Sequence, residues 1–259
     1  MIVDGKKIAE GVYQELLARG EAFARPLKLG ILVGEASPVI ESFVRIKGRA
    51  AERLGVEIVR AELSEGAETL DAIQALQTLA LGCDGVIVQL PLPPSIDTER
   101  VIAAIPPEKD VDGIAPESRA IAPVALAVVE ILKRNQINPS EKHAVVLGNG
   151  RLVGEPTAQL LHTQGADVSI VTLEAGSLES LKDADIVVCG AGSPGLVQPK
   201  HLKQGVVLID AGTSEQGGAV RGDADPTCAS KAALFTPVPG GVGPVAVAMI
   251  FKNLFDLSL

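Results

Sequence analysis

A two-domain α/β protein built on parallel sheets is the fold class the sequence predicts, and three observations carry it. Short β-branched apolar runs alternate with helical stretches from Leu27 to Gln89, the order that right-handed crossovers turn into a parallel sheet. A second alternation starts at Ala144, after a break at Asn138-Pro139-Ser140. It opens on a glycine turn, Gly148-Asn149-Gly150-Arg151-Leu152-Val153-Gly154, set between a strand and a helix.

The elements follow in chain order. Asp4 caps a helix whose apolar stripe runs through Ile8, Val12, Leu16 and Leu17. Leu27 to Val33 reads as a strand. The turn from Gly34 through Ala36 leads to Ser37 as N-cap and Pro38 at the first position of a helix that carries Phe43 and Lys47. Val56 to Ala61 is a strand and Ala67 to Leu81 a helix. Val86-Ile87-Val88 is then apolar on both faces, as a strand covered on both sides must be. It stops at Gln89, because Pro91, Pro93 and Pro94 lack the donors a ladder needs. Asp97 caps a short helix, and Pro123 to Arg134 forms another. In the second half the strands are Ala144 to Leu147, Val168 to Val171, Asp185 to Cys189 and Val206 to Asp210, before a terminal helix through Ala248, Phe251 and Leu254.

Composition narrows the function classes. The 259 residues are 47% hydrophobic and 21% charged, the profile of a globular chain. A net charge of −9 and a pI near 4.9 exclude a nucleic-acid or anionic-membrane surface as the expected partner. Mean hydropathy is +0.31, yet no apolar stretch approaches the ~20 residues of a membrane span, and the N-terminus lacks a signal-peptide pattern. A soluble cytoplasmic protein is expected. Cys83, Cys189 and Cys228 read as buried thiols in a reducing compartment. The histidines His143, His162 and His201 are scattered, so no metal site is expected.

Candidate site residues sit where strands end, since open α/β sheets bind ligands beyond their carboxyl edges. Gln89 is one, although a strand-end glutamine standing alone reads as a loop hydrogen-bonder. Phe43 and Lys47, four apart, present a ring and an amine on one helix face, though a single helical lysine is also an ordinary solvated charge. Gly148, Asn149, Gly150, Arg151, Val153 and Gly154 offer backbone amides to a pyrophosphate at a helix N-terminus, or else form a structural turn. Glu174, near the end of the next strand, is a ribose ligand or a solvated acid. Gly190-Ala191-Gly192 leaves room for a cofactor.

Several pieces in order resemble the methylenetetrahydrofolate dehydrogenase/cyclohydrolase family. They are Phe43-Val44-Arg45-Ile46-Lys47, Val88-Gln89-Leu90-Pro91-Leu92-Pro93, Lys109-Asp110-Val111-Asp112-Gly113, Val153-Gly154-Glu155-Pro156, Gly222-Asp223-Ala224-Asp225 and Thr236 to Pro244. The resemblance implies an N-terminal folate-binding catalytic domain over 1–121, a Rossmann domain over 122–242 with a cleft between, and a C-terminal helix over 243–259 packing back on the first domain. It also implies a homodimer. The implied catalytic residues are Lys47, its partner Gln89, and Asp112 holding the pterin. Phe43, Leu90, Pro91, Pro239, Gly240 and Gly241 would contact the folate, and Thr213 would join the cofactor residues. The implied reaction is oxidation of 5,10-methylenetetrahydrofolate with NAD or NADP, then hydrolysis of the methenyl product. A non-catalytic or altered-substrate folate- or dinucleotide-binding homolog stays open beside it.

This chain departs from the family pattern at named positions. Phe43 stands where the family has tyrosine, which keeps the ring and removes a hydroxyl. Asn149-Gly150 replaces Arg-Ser, and Val171-Thr172-Leu173 precedes Glu174 in place of Cys-His-Ser; an acid there repels a 2′-phosphate, which favours NAD over NADP. The loop Ile114 to Ile121 is short, Ala122-Pro123-Val124-Ala125 follows it, and Ser214 and Ala246 replace Asn and Thr.

Overall fold

A computed structural model describes residues 1–35, 37–172, 177–216 and 219–259. Ala36, Leu173 and Glu174 therefore lie outside the described residues. The chain forms two compact units, one of Met1–Gly11 with Val124–Ala246 and one of Val12–Pro123 with Val247–Leu259.

Helix α1 spans Gly5–Gly20, with Asp4 accepting the Lys7 amide at its start. Val12 and Leu16 are buried on it, whereas Leu17 is exposed, contrary to the stripe expected from sequence. Adjacent residues point about 100° apart on a helix, so the i, i+4 pair takes the inner face and Leu17 turns out of it. Strand β1 is Lys28–Val33 and helix α2 is Pro38–Leu54, its first turn capped by Ser37, whose hydroxyl accepts the Ile40 amide. Strand β2 is Glu57–Glu62, helix α3 Thr69–Gly82, strand β3 Gly85–Gln89, and helix α4 Thr98–Ala103. The three strands pair in parallel in the order β2-β1-β3. Every residue of β3 is buried, because it packs on a cluster that includes Leu76, Leu79, Val101 and Ile105.

Helix α5 is Pro123–Arg134, and Asn138-Pro139-Ser140 joins it to strand β4, His143–Leu147. Helix α6, Gly154–Thr163, leads to strand β5, Asp167–Val171. Strands β6 (Ile186–Cys189) and β7 (Val206–Asp210) follow. Two short strands not expected from sequence, β8 (Ser214–Gln216) and β9 (Ala219–Arg221), form an antiparallel hairpin, and β10 (Ala232–Phe235) ends the second sheet. That sheet is parallel in the order β10-β7-β6-β4-β5, a doubly wound arrangement whose direction of addition reverses at β4. The switch point therefore lies between the carboxyl ends of β4 and β6. Helix α7 is Val242–Leu257. From its second half, Asn253 donates to the carbonyls of Val111 and Ile121, both at 2.8 Å, and fixes the short loop that follows β3 and α4. All three cysteines are buried free thiols, and among the described residues no helix is long and apolar enough to cross a membrane.

Candidate active site

In the unit of Val12–Pro123 with Val247–Leu259, α2 and β3 bring Lys47 and Gln89 together. Lys47 Nζ donates to Gln89 Oε1 at 2.7 Å, and both side chains are buried. Gln89 Nε2 donates to the Leu90 carbonyl at 3.1 Å, which sets the amide so that its oxygen faces the lysine. Burial holds Lys47 below the usual lysine range, and the nearby Asp112 carboxylate opposes that shift. Asp112 is a half-buried residue whose carboxyl, losing solvent, is pushed up to about 6, with Lys47 pulling it down and Asp110 pushing it up. A desolvated amine beside a desolvated acid is an arrangement suited to moving protons near neutral pH.

The motif from Lys109 to Gly113 divides its labour in a way sequence reasoning did not resolve. Lys109 Nζ donates to the carbonyls of Ala80 and Cys83, where α3 ends. Asp110 is fully buried and accepts the amides of Asp112, Gly113, Ile114 and Ala115 at 2.7–3.2 Å. Those four bonds shape the loop that presents Asp112. Phe43, one helical turn before Lys47, is 45% exposed, so its ring is available to a ligand. Leu90 is half-buried and Pro91, reached through a cis peptide bond, is exposed.

In the other unit, the glycine turn follows β4. Gly148 has φ +98°, and a Cβ on it would sit 2.5 Å from the Gly190 carbonyl oxygen. A Cβ on Gly154 would sit 2.1 Å from the Gly148 oxygen, so the turn is folded tightly onto the start of α6. Gly150 differs: nothing lies within 4 Å of a Cβ there, and it is exposed with Asn149 and Arg151. Val153 packs against Gly190, and the turn Gly190-Ala191-Gly192 follows β6 at the switch point. A cradle of close-packed glycines with open space over Gly150 and a helix N-terminus beneath fits a dinucleotide pyrophosphate. Thr213 is exposed just after β7. Pro239, also after a cis peptide bond, is exposed; Gly240 is half-buried and accepts the Gly5 amide at 3.0 Å, and Gly241 is buried.

Two further acids belong to this unit, and sequence reasoning assigned them no role. Asp210, at the end of β7, and Asp223 are buried, and each accepts three backbone amides. The available signal was an acid within two residues of a glycine in both Asp210-Ala211-Gly212 and Gly222-Asp223, since a nearby backbone without a Cβ can close on a carboxylate.

A buried lysine–glutamine pair in one α/β unit and a glycine cradle at the switch point of another define a two-unit, dinucleotide-dependent enzyme. Residues 3–112 match the model of the tetrahydrofolate dehydrogenase/cyclohydrolase catalytic domain, and residues 122–258 match the NAD(P)-binding domain of the same family. The chain belongs to the tetrahydrofolate dehydrogenase/cyclohydrolase family. It is 36% identical over 269 residues to the bifunctional protein FolD of Staphylococcus aureus, covering 97% of this chain and 94% of that protein. The crystal structure of the bifunctional enzyme FolD from Campylobacter jejuni aligns with a TM-score of 0.95 at 29% identity, over 100% of this chain and 98% of that one. The FolD structure from Trypanosoma brucei, complexed with NADP cofactor and inhibitor, aligns with a TM-score of 0.93 at 31% identity, over 100% and 97%. Both the dehydrogenase/cyclohydrolase assignment and the NAD(P)-binding domain expected from sequence are thus confirmed.

Proposed function

We propose that this enzyme oxidises 5,10-methylenetetrahydrofolate and hydrolyses the methenyl product, with Lys47, Gln89 and Asp112 as its catalytic residues. The observation that carries the reading is the buried 2.7 Å bond from Lys47 to Gln89 beside Asp112. NAD(P), held by the glycine cradle, would supply the acceptor for a hydride from the folate methylene carbon. No general base is required in that step, because the two flanking nitrogens stabilise the resulting cation; orienting the folate is what the protein contributes. In the hydrolytic step water adds to the cationic carbon and must lose a proton. The Lys47 amine, kept below its usual range by burial, takes it and returns it to the folate nitrogen whose bond to that carbon breaks, leaving the formyl group on the other nitrogen; Gln89 holds the amine and Asp112 favours its protonated form.

Asp112 also holds the pterin, Phe43 stacks on the adjoining ring, and Leu90, Pro91, Pro239, Gly240 and Gly241 complete the folate contacts. Gly148 to Arg151, Val153, Gly154, Gly190 to Gly192 and Thr213 receive the dinucleotide, with Glu174 on the ribose. Residues 12–121 of the expected 1–121 act as the folate-binding domain, Met1–Gly11 grouping instead with Val124–Ala246, 122–242 act as the dinucleotide domain, and 243–259 return to the first. NAD is the preferred cofactor, because Asn149 and the exposed Gly150 offer no cation or hydroxyl to a 2′-phosphate. Supplying NAD and NADP separately with methylenetetrahydrofolate tests this: faster NADH formation supports it, faster NADPH formation reverses the cofactor assignment, and no reduction of either overturns the dehydrogenase. The enzyme acts as a cytoplasmic homodimer; three buried free thiols fit a reducing compartment. Light scattering giving one chain mass of 26.7 kDa would overturn the dimer.

A further inference from the structure

Asp223 is fully buried, yet its backbone is already held without its side chain. Its carbonyl accepts the Val197 amide at 2.9 Å, and Ala224 bridges Val197 in parallel. What depends on the side chain is a different segment. Asp223 Oδ2 accepts the amides of Ala191 and Gly192 at 2.7 and 3.1 Å, and Oδ1 accepts Ser193 at 2.7 Å. Three consecutive amides converge on one carboxylate, an anion nest filled from within the chain.

That nest is the turn after β6, and the turn abuts the glycine cradle: a Cβ on Gly148 would lie 2.5 Å from the Gly190 oxygen and 3.0 Å from the Ala191 nitrogen. Asp223 is held in turn by Asp210. Asp210 Oδ1 accepts the Gly212 and Asp223 amides at 3.0 and 3.1 Å, and Oδ2 accepts Ala224 at 2.8 Å. The packing tolerates no side chain nearby, since a Cβ on Gly212 would lie 2.3 Å from the Asp223 carboxyl carbon and one on Gly222 2.1 Å from Asp210 Oδ2. Thr236 Oγ1 accepts the Asp210 amide at 2.7 Å and anchors the far end. A continuous set of bonds thus runs from Thr236, just after β10, to the edge of the cradle.

We propose that Asp223 is a positioning residue for the dinucleotide, fixing the Ala191-Gly192-Ser193 turn against the Gly148 cradle, and that Asp210 holds Asp223 in that role. This rests on the assignment of the cradle to NAD(P). Losing the acceptor leaves three amides to turn toward water, so the turn loosens and affinity for the dinucleotide falls before the fold does.

The test uses the full-length protein and direct binding. NADH fluorescence titration gives Kd for the wild type, Asp223→Asn, Asp223→Ala and the control Asp225→Asn, and methenyltetrahydrofolate hydrolysis, which uses no dinucleotide, is followed in parallel. The proposal expects Kd to rise about tenfold or more in Asp223→Ala and by less in Asp223→Asn, which keeps one acceptor oxygen. Hydrolysis should stay within about twofold of wild type, and Asp225→Asn, which alters only a cap on the following turn, should match the wild type in both. Unchanged Kd in both Asp223 variants overturns the proposal while leaving the cofactor assignment standing. Parallel loss of binding and hydrolysis in both makes the role structural and also overturns it. If the wild type binds neither NADH nor NADPH, the cofactor assignment itself fails and takes the proposal with it.

Discussion

Lys47 donates a 2.7 Å hydrogen bond to Gln89 Oε1 from a position where both side chains are buried. A lysine in such a place loses hydration, which favours its neutral form, and gains a neutral acceptor, which orients it without supplying a full counter-charge. The remaining charge partner is Asp112, and the balance between the two sets what the pair can do.

Asp112→Asn should change how stability depends on pH. The Asp112 carboxyl stands at about 6 in the folded protein against 3.8 free, so the folded state holds its proton more tightly. The stabilisation from that proton is complete below 3.8 and is lost as pH rises through about 6. Urea midpoints at acid and neutral pH should show the wild type losing about 2 kcal/mol more than the variant across this window. Asp210, also pushed up to about 6 by burial, contributes the same slope to both proteins and cancels. Parallel curves for the two proteins would contradict the assignment.

The two first glycines of the cradle should respond oppositely. Gly148→Ala places a methyl 2.5 Å from the Gly190 oxygen at φ +98° and should lower stability by about 1–3 kcal/mol and abolish dinucleotide binding. Gly150→Ala meets nothing within 4 Å and should leave stability unchanged. Thermal melts with and without NADH distinguish the pair.

Cofactor choice should be movable at the same turn. Asn149→Arg combined with Gly150→Ser introduces a guanidinium at an exposed position and a hydroxyl where nothing lies within 4 Å of a Cβ. A charge-assisted contact of this kind contributes about 1.5–3 kcal/mol, so the ratio of kcat/KM for NADP over NAD should rise by about tenfold or more. A ratio that stays put would place the 2′-phosphate elsewhere.

Asn253→Leu should loosen the loop that carries Asp112. The change removes both donors to the Val111 and Ile121 carbonyls and leaves two acceptors unpaired, at a cost of about 2–4 kcal/mol in urea unfolding. The KM for folate should rise with it. A variant as stable as wild type would mean water replaces the amide.

The strands were legible because β-branched runs such as Val86-Ile87-Val88 and Val145-Val146 have no other good place to go, and Ser37-Pro38 and Asp97 announced their helices. The hairpin of β8 and β9 was not, since three-residue strands as polar as Ser214-Glu215-Gln216 carry no periodic signal. In the site, Lys47 and Gln89 were named from motif and spacing, but their meeting depends on α2 and β3 being neighbours in space. Asp110 and Asp112 look alike in sequence; only the folded loop shows one enclosed by four amides and the other beside Lys47. Asp223 acts on residues about thirty positions earlier, a relationship that no local pattern expresses.

The most direct measurement is methenyltetrahydrofolate hydrolysis by Lys47→Met, set beside the wild type with folding checked by circular dichroism. Methionine keeps the buried stem and removes the amine. The account predicts a native spectrum and hydrolysis reduced by about a hundredfold or more. A correctly folded Lys47→Met protein that hydrolyses the methenyl substrate at the wild-type rate would contradict the role of the Lys47–Gln89 pair.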